Sequence, residues 1–265
     1  MVVRIIVGAL LLPVAVIIIL FGDLLLQSTL FLLAVWATNE LYRAFHLPFS
    51  KRQLLTYLGI GIYYFGVLPE MQIAQTGHAF LIFMILWFVM HLSQLAIHYG
   101  KASLNQLLLQ MLLPLYPALL LSTVFLALDV APELAWVMFL TAWGYDTCAY
   151  FTGKFLGKTK ITPVLSPNKT LAGFVGGVIG AMAIVLIYLL TLTQIEQVIL
   201  VTFAAGIIAI GGQLGDLVAS AIKREQGIKD FSELIPGHGG IMDRFDSLMF
   251  TAPLTYVLIL FILGR

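Results

Sequence analysis

The sequence predicts an all-α, polytopic integral membrane protein with about nine transmembrane helices, amino terminus cytoplasmic and carboxyl terminus external. Three observations carry that expectation. Of 265 residues, 61% are hydrophobic and 10% charged, with a mean hydropathy of +1.02, so a soluble domain of this length could not cover its surface with polar groups. The apolar residues fall into runs close to the roughly 20 residues that cross a bilayer as a helix. Lys and Arg collect on one side of those runs, as cytoplasmic loops do.

Taken in order, the runs are 4–21, 23–39, 53–69, 79–98, 105–128, 132–152, 171–193, 197–219 and 247–264. Only Gly22 and Asp23 separate the first two. The first run lacks a small-residue cleavage site after position 20, so it is expected to stay as a span rather than leave as a signal peptide. Threading the runs from a cytoplasmic Arg4 puts every Lys and Arg on that face except Arg265, while Asp23, Glu70, Asp129, Glu133 and Glu196 fall opposite. Residues 1–130 read as an amino-terminal transmembrane region with short polar breaks. Residues 131–265 form the carboxyl-terminal region of one integrated membrane domain, hold the longest polar stretches, and are where chemistry is expected. No fixed-period repeat is visible. A net charge of +1 gives no basic field for nucleic acid, and the single Cys148 excludes an internal disulfide.

Three polar segments interrupt the carboxyl half: 143–160, 166–173 and 215–246. The topology brings all three to the cytoplasmic face. Asp146 and Asp216 lie inside apolar runs, where an unpaired carboxylate costs about 2.5–3.5 kcal/mol on insertion scales and so requires a partner, a cavity or a metal. On a helix Asp216, Ser220, Lys223 and Arg224 make one polar stripe. Asp243 and Asp246, three apart, are expected on one face at the start of the last span. Each Asp taken alone is equally well explained by a structural ion network with Lys223, Arg224, Lys229 or Arg244. Together, Asp216, Asp243 and Asp246 supply oxygens suited to a hard cation.

The turn Pro236-Gly237-His238-Gly239-Gly240 allows positive φ and could aim successive N–H groups at an anion, although such a turn is more often only a turn. Ser166-Pro167-Asn168-Lys169-Thr170 precedes a span, so Ser166 or Thr170 can cap its helix and, with Lys169, offer a second anion site. Aromatic stretches such as Tyr63-Tyr64-Phe65 and Trp87-Phe88 are expected to pack or face lipid. Gly173, Gly176, Gly177 and Gly180 have the spacing of a close helix contact. Carboxylates, amines and two phosphate-suited turns on one face describe phosphoryl or nucleotidyl chemistry. No P-loop, HExxH helix or GxSxG elbow is present.

Residues 220–246 resemble the signature of the phosphatidate cytidylyltransferases, with Ser220, Lys223, Arg224, Lys229, Asp230, Pro236, His238, Gly239, Gly240, Asp243, Arg244 and Asp246 in register. Gly215-Asp216, the run from Asp146 to Lys154, and the run from Ser166 to Thr170 resemble the same family. One departure is Ala172, where the family often carries Glu. The resemblance implies a magnesium-dependent nucleotidyltransferase making CDP-diacylglycerol and pyrophosphate from CTP and phosphatidate, with potassium as a second cation in part of the family. By position it makes Asp216 and Asp243 the leading metal ligands, with Asp246 and Asp146 as further acidic members and Lys223 and Arg224 beside them in the reaction. It makes Ser166, Asn168, Lys169, Thr170, Ser220, Lys229, Asp230, His238, Gly239, Gly240 and Arg244 substrate-binding residues. A bacterial inner membrane and a homodimer are expected alongside.

Two rivals remain open at this stage. A CTP-dependent kinase of polyprenols or phytol would use a similar setting but transfer the γ-phosphoryl group. An ion-coupled transporter would use Asp146 and Asp216 but leave the polar segment 220–246 without a task.

Overall fold

In the computed structural model, the described residues are 13–47, 51–74, 77–97 and 103–264. Arg4, Lys101, Arg265 and the start of the first expected span lie outside them. Among the described residues the secondary structure is helical, apart from two isolated backbone bridges, Lys160 with Thr170 and Ile235 with Gly239. The chain forms two compact units: Met1–Phe125 with Asp230–Arg244, and Leu126–Lys229 with Phe245–Arg265.

In the first unit, α1 (Asp23–Ala44) buries Leu26, Leu30, Ala34, Ala37 and Leu41, a stripe at spacings of three and four that a helix aligns on one side. Helix α2 (Lys51–Ile62) continues through a π turn, Tyr63–Val67, into α3 (Leu68–Ala74). The π turn is pinned by its tyrosines: the Tyr63 hydroxyl is 2.8 Å from Ser122 Oγ, and the Tyr64 hydroxyl donates to the Ala118 carbonyl at 3.1 Å. Tyr63, Tyr64 and Trp87 are buried packing residues, as expected, while Phe65 is exposed. Helix α4 (His78–Ile97) precedes α5 (Leu104–Leu112), which opens with a Ser103–Gln106 capping box. Helix α6 (Leu115–Val130) follows.

The second unit is built on α7 (Pro132–Leu156), α8 (Leu171–Leu192), α9 (Val198–Glu225) and, after a four-residue helix α10 (Met242–Phe245), α11 (Leu248–Ile262). Helix α8 buries Gly173, Gly177, Ala181, Val185 and Leu189, one residue per turn. Its other sides expose Val175, Ile179, Ile187 and Leu190. A helix apolar all round with one buried stripe is stable only if its remaining surface faces lipid. The small stripe lets α7 and α8 approach closely, as expected: a Cβ at Gly177 would meet the Tyr145 ring and one at Gly180 the Cys148 side chain. Tyr145 of α7, Ala181 of α8 and Ala209 of α9 form one buried cluster.

Among the described residues, five helical stretches have the length and hydropathy of membrane spans: Leu24–Ala44, Gln53–Met71, Leu104–Val130, Leu171–Leu192 and Val198–Glu225, with His78–Gln94 and Leu248–Ile262 apolar but shorter. The expected runs after the first therefore all coincide with helices. The run at 132–152 is helical too, within α7, and carries Glu133 and Asp146. The protein is an integral membrane protein.

Candidate active site

Helix α9 has 28 residues and spans about 42 Å at about 1.5 Å per residue, longer than the roughly 30 Å hydrocarbon layer. Its carboxyl-terminal turns therefore carry Asp216, Ser220, Lys223 and Arg224 toward a membrane surface. Ser220 Oγ donates to Asp216 Oδ1 at 3.3 Å, which realises the polar stripe. The other Asp216 oxygen pairs with Lys169 Nζ. The structural reading of a lone intramembrane Asp thus applies in part, with Lys169 as its partner rather than the cations of its own helix.

Lys169 stands where it does because of the loop between α7 and α8. The Ile161 N–H donates to the Lys169 carbonyl at 3.2 Å and the Leu171 N–H to the Thr159 carbonyl at 2.9 Å, so residues 159–171 fold back on themselves. The Thr170 hydroxyl accepts the Gly173 N–H at 3.1 Å and caps α8; of the two expected candidates, Thr170 is the cap. Asp146 comes from α7, nearly three turns before that helix ends.

These elements enclose a cavity of about 710 Å³ within the second unit, a volume that suits a nucleotide-sized ligand. Asp146, Ser166, Asn168, Lys169, Thr170 and Asp216 line it, joined by Lys154, Lys160, Tyr145 and Gln213. The Tyr145 hydroxyl donates to Gln213 Oε1 at 2.6 Å and ties α7 to α9 beneath the cavity. Gln213 lies three residues before Asp216 on the same helical face, a spacing from which it could have been picked out of the sequence.

Asp246 lies in the turn before α11, where it accepts the Ser247 N–H at 2.7 Å. Partial burial, and after it repulsion from Asp216, pushes its carboxyl up to about 7; Asp146 adds a smaller push while Ser247 and Lys223 oppose it. Asp146, Asp216 and Asp246 thus form a set of mutually repelling acids in one unit. Among the described residues no three His, Cys, Asp or Glu side chains are drawn together as a ready metal-ligand shell. The donor chemistry nonetheless fits a hard cation: all three are carboxylates, the oxygen ligands that such an ion takes.

The rest of the signature folds differently from the expectation. Asp243 lies in the four-residue α10 and Asp246 in the turn at 246–247 that follows it, so α11 starts after both rather than carrying them. Asp243 is carried by the first unit; its Oδ2 accepts the Phe231 N–H at 2.8 Å and the Gly240 N–H at 3.0 Å. In the glycine turn the His238 N–H goes to the Ile235 carbonyl at 2.8 Å. The amides of His238 and Gly240 are thus spent within the loop rather than presented to an anion. Gly239 has φ +84°, a conformation that side chains disfavour. Asp230 and Arg244 are exposed, as are Arg224 and Lys229 in the second unit; Arg224 Nη1 donates to the Ile228 carbonyl at 3.3 Å, just past the end of α9.

One residue of this loop's surroundings was not singled out in the sequence. Glu40, 1% exposed on α1, accepts the Ser232 hydroxyl at 2.6 Å and the N–H groups of Ile241 at 2.9 Å and Met242 at 2.8 Å. A lone acid in the last turns of an apolar span is the signal that could have found it.

Fold and site together define a polytopic all-α membrane protein with a large cavity walled by carboxylates and amines. The chain belongs to the cytidylyltransferase family, whose profile matches residues 2–262. It is 46% identical over 122 residues to proteins named phosphatidate cytidylyltransferase from Staphylococcus haemolyticus (strain JCSC1435) and Staphylococcus aureus (strain COL). It is 43% identical over the same length to one of that name from Staphylococcus epidermidis (strain ATCC 35984). Each match covers 46% of this chain and 47% of the relative, so the chain spans about half the length of the curated relatives it matches.

Proposed function

We propose that this protein is a phosphatidate cytidylyltransferase of a bacterial inner membrane, joining CTP and phosphatidate to give CDP-diacylglycerol and pyrophosphate on the cytoplasmic side. The observation that carries the reading is the joint placement of Asp146, Asp216 and Lys169 on a cavity of about 710 Å³ in one unit, in a chain of the cytidylyltransferase family.

The chemistry needs no covalent enzyme intermediate. A phosphate oxygen of phosphatidate bonds to the α-phosphorus of CTP, the bond from that phosphorus to the α–β bridging oxygen breaks, and pyrophosphate leaves with the electron pair. The barrier is electrostatic, because two polyanions must touch. Lys169 neutralises phosphate oxygens once released from Asp216, with Lys154 and Lys160 on the same cavity wall. Ser166, Asn168 and Thr170 supply hydrogen-bonding groups at that wall, and Lys223 offsets the charge at Asp246. Asp216 and Asp246, with Asp146, are the residues that would hold magnesium, and potassium as a second cation; the bound ion supplies Lewis-acid neutralisation of phosphate oxygens. Asp243 first of all shapes its own loop, and its expected share in cation binding is tested by Asp243→Asn, which retains an acceptor for the two amides but lowers cation affinity if the carboxylate is a ligand.

The test is the fate of label from CTP. Purified protein with phosphatidate and magnesium should place the α-phosphate of CTP in the lipid product and release pyrophosphate. Release of CDP with the γ-phosphoryl group on a lipid would identify a kinase instead and overturn the reading.

A further inference from the structure

The 230–244 loop carries His238, Asp243 and Arg244, yet the groups that fix its shape are two carboxylates, one of them distant in sequence. Asp243 takes the amides of Phe231 and Gly240. Glu40 takes those of Ile241 and Met242 together with the Ser232 hydroxyl, across separations of 192 to 202 residues. From this geometry we infer that Glu40 is a positioning residue: it sets the backbone path into Asp243 and Arg244, and the inference rests on the cytidylyl-transfer reading.

Three features of the arrangement support this. Glu40 accepts three hydrogen bonds, two at Oε1 and one at Oε2, so both of its oxygens are engaged by the loop. It is inaccessible at 1% exposure, so it does not meet a substrate. The fit is tight on both sides of the turn: a Cβ at Gly240 would fall on the Glu40 carboxylate, and one at Gly239 would crowd Asp243. The loop also buries Phe231, Ile241 and Met242. These apolar anchors hold it to the unit when Glu40 is altered, so a variant is expected to stay folded while the loop loses its set path.

Glu40→Gln is close in shape but replaces one accepting oxygen with an NH₂ group that faces an N–H or O–H donor. In the purified full chain it should lower kcat for the lipid product about tenfold or more, since misplaced groups are costly to a reaction that depends on alignment. Amide hydrogen exchange should quicken over residues 231–243 and stay unchanged in α7, α8 and α9. Gly240→Ala should reproduce both effects. Shortening the acid makes room for the added methyl, so Glu40→Asp combined with Gly240→Ala should recover at least about threefold of the activity lost in Gly240→Ala alone. An unaltered kcat and unaltered exchange in Glu40→Gln would overturn the inference. So would faster exchange throughout α7 to α9, which marks a general loss of structure, or a double variant no better than Gly240→Ala. If the wild-type chain forms no lipid product, the reaction reading fails, while the exchange arm still decides whether Glu40 holds the loop.

Discussion

Asp246 shows how a single side chain reports on the site. Partial burial and the charges of Asp216 and Asp146 raise its carboxyl from 3.8 to about 7, so its ionised form is disfavoured in the folded chain. The stabilisation associated with its proton is fully present below the unfolded value near 3.8 and is lost as pH rises through about 7. Without a divalent cation, Asp246→Asn should therefore stabilise the protein at pH 8, on the order of 1 kcal/mol after allowing for partial solvent screening. It should also flatten the fall in stability between pH 4 and 7, as read by thermal unfolding in detergent. Saturating magnesium should stabilise the wild type more than the variant. A variant less stable than wild type at pH 8 without cation would show that Asp246 is not under electrostatic strain. Lys169 makes the complementary point: its pairing with Asp216 keeps a cavity-facing carboxylate compensated.

At the scale of elements, the loop from 157 to 170 and the start of α8 act as one device. The Thr170 cap and the turn at 159–171 place Lys169 on the cavity, and the close α7–α8 contact presents Asp146 beside it. Thr170→Ala should cost about 1 kcal/mol through the lost cap, measured by thermal unfolding, whereas Thr170→Ser should stay near wild type; equal losses in both would assign the effect to the methyl group instead. Much of this was legible in the sequence, because capping chemistry, glycine spacing and the i, i+4 stripe of Asp216 and Ser220 are local signals that survive tertiary packing. What sequence could not supply was long-range pairing. Lys169 with Asp216 joins residues 47 apart in number, and Glu40 with the 230–244 loop joins residues 192 or more apart, where no periodicity links the partners. The interruption at 246–247 was hidden too, as was the use of the Asp243 carboxylate by the amides of Phe231 and Gly240, which pattern alone does not reveal.

For the whole molecule, composition settled the solvent before any element was assigned. Helix α8 exposes most of its apolar surface, which only lipid can cover, and the sorting of Lys and Arg gives the expected orientation. Lys158 and Glu196 are both exposed and sit at opposite ends of α8. In a Cys148→Ala background, Lys158→Cys should react with a membrane-impermeant maleimide only from the cytoplasmic side, and Glu196→Cys only from the other; labelling of both from one side would refute the orientation. The chemistry proposed for the molecule rests on carboxylates from separate helices meeting phosphates at one cavity. The most direct measurement is incorporation of α-labelled CTP into lipid by purified, membrane-inserted Asp216→Asn protein supplied with phosphatidate and magnesium. The account predicts that incorporation falls at least about a hundredfold below wild type while folding and insertion persist, and turnover at the wild-type rate would contradict it.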